Sequence, residues 1–125
     1  MKPEVKALWL AALRSGEYTQ GKGALRARTH WRDAAPTLEH CCLGVLCDVY
    51  HKATGLGKWD GDTFFISDTD QNENVLPPSV VEWSGLPDAN PSLSGDRDPD
   101  HDSLAGANDH GATFDEIADI VENEF

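Results

Sequence analysis

Apolar residues recur along this chain mostly at helical spacing. Val5, Leu8, Trp9, Ala12 and Leu13 stand at i, i+3, i+4, i+7 and i+8, one face of an amphipathic helix. Pro3 opens that helix where a missing N–H costs nothing, and Gly16 is placed to close it. The longest apolar run, C-C-L-G-V-L-C at 41–47, has almost no polar face and continues at helical spacing through Val49 and Tyr50. The stretch 39–52 therefore predicts a buried helix around which the rest is organised, with Thr37 or Glu39 serving its first turn. Gly44 costs roughly 1 kcal/mol against alanine in a helix interior, so its presence predicts another backbone packed close.

The other segments are shorter. After the turn Gln20-Gly21-Lys22-Gly23 the pattern alternates: Leu25, Ala27, Thr29 and Trp31 on one side, Arg26, Arg28, His30 and Arg32 on the other. That is a strand with a cationic stripe. Residues 59–66 read as a hairpin with Asp60-Gly61 as its turn, and 67–74 as an exposed polar loop. Pro77-Pro78 leads a short helix at 79–84, ended by Gly85. Residues 86–102, rich in Pro, Asp, Asn, Ser and Gly, read as a long surface loop. Residues 104–108 make about one helical turn, and Thr113 with Glu116 forms a capping box for a last helix that turns Phe114, Ile117, Ala118 and Val121 inward. The expectation is a single α+β domain over 1–125, with four to five helices around the central one and a small antiparallel sheet or hairpins.

Charge changes the picture. The net charge of −12 is split: residues 1–58 carry nine Lys/Arg against five acids, whereas 59–125 carry only Arg97 against seventeen. An anionic partner is expected at the first half and repelled by the second. Duplex DNA is not an expected partner: the last helix holds Asp115, Glu116, Asp119, Glu122 and Glu124 and no basic residue, which a major groove would repel. No stretch approaches the ~18 apolar residues of a membrane span, and the first residues, M-K-P-E-V-K, lack a signal-peptide core, so the expected place is the cytoplasm, away from membranes. Three cysteines, two of them adjacent, fit buried reduced thiols better than a disulfide framework.

Three kinds of chemistry suggest themselves. Glycine-rich turns let backbone N–H groups approach phosphate, and arginine forks bind it bidentately. This marks Gly21, Lys22, Gly23, Arg26, Arg28 and Arg32, with Arg14, Tyr18 and Gln20 nearby in sequence; the plainer reading is a solvated strand face. Tyr18 or Trp31 is a candidate stacking platform, and Asn108-Asp109 a source of polar contacts where the fold brings it near. Cys41 or Cys42 at a helix start is a candidate nucleophile. H-C-C-L-G-V-L resembles the D-C-S-G-L/V helix start of NlpC/P60 peptidases, without the aspartate and serine, and a base would come from His101 or His110. Cys47 and His51 at i and i+4 lack further ligands, and the acid ladders from Asp68 and Asp96 lack the glycine and glutamate of a calcium loop, so neither metal nor cofactor is expected.

Four blocks (9–26, 41–48, 76–86 and 104–122) together resemble a family of small proteins encoded by tailed bacteriophages and prophages. The resemblance implies origin rather than activity. Such proteins often act on host defences, and some sequester a nucleotide-derived signal by binding it. The leading expectation is thus non-catalytic binding of a phosphorylated small molecule or nucleotide signal in the host cytoplasm, with no catalytic residues. The alternatives are an acidic inhibitor of a host protein, mimicking nucleic acid through residues 59–125, and a cysteine-dependent hydrolase. The oligomeric state is left open by the sequence, a homo-oligomer included.

Overall fold

The computed structural model describes residues 1–29 and 37–125. Among the described residues, five helices pack with two three-stranded sheets, an α+β architecture. Helix α1 (Pro3–Arg14) starts with proline in its first turn, and Gly16, at φ 76°, follows its end in the left-handed conformation. Val5, Trp9 and Leu13 are buried as the periodicity predicts. Leu8 departs from it: 47% exposed, it borders a cleft of about 300 Å³ between α1 and α2.

Helix α2 (Cys42–Thr54) is the buried centre, with Cys42 through Cys47 all inaccessible. It begins later than expected. Thr37–His40 form strand β3 instead, and Cys41 is the N-cap, its sulfur accepting from Gly44 N–H at 3.4 Å. Pairing with two neighbouring strands outweighs the weak helical preference of that stretch. The glycine expectation is met directly. A Cβ on Gly44 would collide with the Leu25 carbonyl oxygen and lie 2.7 Å from its carbon. The Trp9 indole N–H donates to Cys42 O at 3.0 Å, pinning α1 on the first turn of α2.

The first sheet has the order β1-β3-β2. β1 (Thr19–Gln20) runs parallel to β3, and β2 (Arg26–Thr29) runs antiparallel to it. The expected strand residues His30, Trp31 and Arg32 lie outside the described residues. The second sheet, β4 (Lys58–Asp60), β5 (Thr63–Ser67) and β6 (Asp70–Asn72), contains the expected hairpin, but Asp60 pairs with Thr63, so the two turn residues are Gly61 and Asp62. Gly61, at φ 62°, takes the first position, which favours glycine. The stretch expected to be a polar loop supplies β6. There the Asp70 carboxylate accepts from Ser79 N–H at 3.2 Å and from its hydroxyl, tying the strand to α3 (Pro78–Ser84).

Residues 86–102 run mostly exposed over the surface and are held there as a strap. Leu86 and Leu93 are buried, Asn90 bonds Ser103 and Ala105 N–H, and Ser94 bonds Glu124. The strap is thus tied to helices α4 (Leu104–Asp109) and α5 (Phe114–Glu124). Thr113 and Glu116 make the capping box of α5, which packs Ile117, Ala118 and Val121 into the core beside α1. Among the described residues no helix is long and apolar enough to cross a membrane.

Candidate anion site on the sheet face

The register of the first sheet decides what faces what. Arg26 stands opposite His40, and Arg28 opposite Leu38. Directly paired residues project to the same side, so Arg26, Arg28, Leu38 and His40 share one face, while Ala27, Thr29, Thr37 and Glu39 take the other. The β4–β5 hairpin meets the first face. The Arg26 guanidinium lies 4.9 Å from the centre of the Trp59 ring, and its Nε donates to Gly61 O at 2.9 Å. Burial, with the positive charge of Arg28, lowers the Arg26 pKa against the opposing pull of Asp48.

The ion pairs of the chain set these two arginines apart. Arg14 is bound to Asp119 and Glu122, Arg97 to Glu124, and Lys52 to Asp48. Among the described residues Arg26 and Arg28 have no carboxylate partner, although the chain carries 22 acids.

Behind Arg26 lies a polar cluster of which sequence reasoning singled out only Tyr18. Asp48 accepts from the Tyr18 hydroxyl, from Lys52 Nζ at 3.2 Å and from the Trp59 indole N–H at 3.3 Å. Lys52 also donates to the Tyr18 oxygen at 3.0 Å. Burial alone would raise the Asp48 pKa; those three hydrogen bonds overcome it and hold the carboxyl below its ordinary value. His40 is wedged edge-on between Tyr18 (5.2 Å between ring centres) and Trp59 (5.5 Å) and is only 8% exposed. Its Nδ1 has no hydrogen-bond partner among the described residues. An unmade bond of this kind costs about 1–3 kcal/mol. Burial, helped by Arg26 and Lys52, pushes the His40 pKa down despite Asp48, favouring the neutral ring. Only the Asp48/Lys52 pair, at i and i+4 on a helix, left a local signal in the sequence. His40 and Trp59 acquire their meaning from strands distant in the chain.

The glycine turn has a different role from the one expected. Gly21 N–H donates to His40 O at 2.8 Å, and Gly23 N–H donates to the Asp109 carboxylate at 3.0 Å. An acidic side chain of the protein thus occupies the place predicted for an external anion. Asn108 and Asp109 are brought to the turn, but as fasteners. The fully buried Asn108 amide donates to Gly21 O and Asp109, and its oxygen accepts from Cys42 N–H and Gln20. Gln20 donates also to Ala112 O at 2.7 Å. Gln20, Gly21, Gly23, Asn108 and Asp109 therefore form one network, which locks the turn to the start of α2. Lys22 is exposed between the two glycines. The Arg14 guanidinium is committed to α5, and Trp31 and Arg32 fall outside the described residues.

The thiols are poor nucleophiles. Cys41 is 3% exposed, and burial outweighs the Gly44 N–H bond to push its pKa up to about 11. Cys42 and Cys47 are fully buried and also shifted up by desolvation. The imidazoles suggested as a base are occupied with backbone: His101 with His110 O at 3.2 Å, His110 with Gly106 O at 2.9 Å. Among the described residues no three His, Cys, Asp or Glu side chains gather as a metal site.

The chain belongs to the family described as Domain of unknown function (DUF8296), whose model matches residues 1–125. No curated protein and no solved structure matches it.

Proposed function

We propose that this DUF8296 chain binds an anionic, phosphorylated small molecule on the Arg26/Arg28 face and holds it without cleaving it. In this reading it is a phage-encoded accessory protein of the host cytoplasm that sequesters a nucleotide-derived defence signal. The observation that carries the proposal is the pair of arginines on one face of β2 without a carboxylate partner among the described residues, in a strongly acidic chain. Two adjacent guanidiniums repel each other, and a bound anion relieves that repulsion while making charge-assisted hydrogen bonds. The buried, high-pKa thiols support binding over turnover.

The test is a thermal-shift panel of ADP-ribose, nucleoside diphosphates and cyclic dinucleotides, with wild type beside an Arg26→Ala/Arg28→Ala variant. A ligand at 100 times its dissociation constant adds about 2.7 kcal/mol, several degrees for a domain of this size. The expected result is a shift in wild type that the variant loses, with the ligand recovered intact after incubation. No shift with any member of the panel refutes the proposal and turns attention to the acidic half and a protein partner. Recovery of a cleaved ligand refutes sequestration.

A further inference from the structure

We infer that this face reads two adjacent phosphates, a diphosphate group, and is indifferent to the base attached to them; the inference rests on the anion-binding reading above. Alternate residues of a strand project to one side about 7 Å apart. Long side chains at that spacing can converge from both flanks on a linked pair of phosphates. The two arginines are also prepared differently. Arg26 spends Nε on Gly61 O and holds its guanidinium carbon over the Trp59 ring, so the fork is positioned before any ligand arrives and its Nη groups are left to bind. Arg28 is exposed and makes no hydrogen bond or ion pair among the described residues. A single phosphate satisfies the positioned fork and leaves Arg28 with little to gain, whereas a diphosphate engages both.

Indifference to the base follows from what surrounds the pair. The aromatic rings beside it are already engaged. Trp59 carries Arg26 and meets His40 and Phe64, the latter at 5.0 Å. Tyr18 has Lys52 over its ring at 5.2 Å, the edge of His40 against it, and its hydroxyl bonded to Asp48. The stacking expected of Tyr18 is thus taken up inside the protein. Base stacking is worth about 1–3 kcal/mol where a ring is open to it, and no such platform stands beside the two arginines among the described residues. Phosphate charge is what remains to be read.

Calorimetric titration of the full chain at constant ionic strength tests this, with inorganic phosphate, pyrophosphate, AMP, ADP, GDP and CDP as probes. Pyrophosphate and the three nucleoside diphosphates should bind within about threefold of one another. Each should bind at least about tenfold more tightly than phosphate or AMP, the factor for one added charged contact. Arg28→Ala, a change at an exposed side chain, should bring the diphosphates to the monophosphate level with little effect on thermal stability. Equal affinity for mono- and diphosphates, or a preference of more than about tenfold for one base, overturns this inference and leaves anion binding standing. Absence of binding by every probe overturns both.

Discussion

Replacing Gly44 by alanine sets two physical effects against each other with opposite signs. Helix propensity alone favours the change by about 1 kcal/mol, since alanine is the better residue inside a helix. Packing opposes it. The new methyl would meet backbone, not a flexible side chain: it collides with the Leu25 carbonyl oxygen and lies 3.1 Å from Leu25 Cα. That segment cannot drift away freely, because Leu25 N–H donates to Glu73 O at 2.8 Å and Leu25 O accepts from Cys41 N–H at 3.3 Å. Overpacking of a well-filled core costs about 1–3 kcal/mol, and this collision belongs at the upper end. Moving the carbonyl also weakens a buried hydrogen bond worth about 1 kcal/mol. The net expectation is a loss of about 2–3 kcal/mol, roughly 10 °C in Tm for a domain of this size. Urea denaturation should show a lower midpoint at unchanged slope. A Gly44→Ala protein as stable as wild type, or more so, would refute the close approach of the Leu25 backbone, just before β2, to α2.

Two further outcomes follow from the titratable groups. Asp48 has a folded-state pKa below its ordinary value of 3.8, so its stabilisation is present above that pH and is lost as pH falls through the depressed value. Asp48→Asn should therefore cost about 1–2 kcal/mol at pH 7 and markedly less near pH 3, measured by denaturation at both; an equal cost at the two would sink the assignment. The three thiols, buried and shifted up, should resist Ellman's reagent at pH 8 in the native protein and react together on unfolding. Rapid labelling of Cys41 or Cys42 in the folded state would reopen the hydrolase reading.

The sequence by itself determined the elements whose signals lie within one short segment. The apolar spacing of α1, the continuous run of α2, the Thr113/Glu116 box and the glycine after α3 each act over a few residues, so they are legible locally. Even the demand of Gly44 for a close neighbour could be read, though not which neighbour meets it. Tertiary structure decided the rest, because the deciding contacts join residues far apart in the chain. Strand β3 exists because β1 and β2 pair with it, and β6 because β5 does. Tyr18 and Asp48, 30 positions apart, bond behind Arg26, and Asn108 reaches back 87 positions to Gly21. Those long-range bonds turned the glycine turn from an expected anion cradle into a filled structural joint, with Asp109 as its anion. They left Arg28 of β2 exposed beside a partly buried Arg26 held by the β4–β5 hairpin. Alternation put Arg26 and Arg28 on one side of a strand; only the folded chain could show that, among the described residues, no acid pairs with either of them.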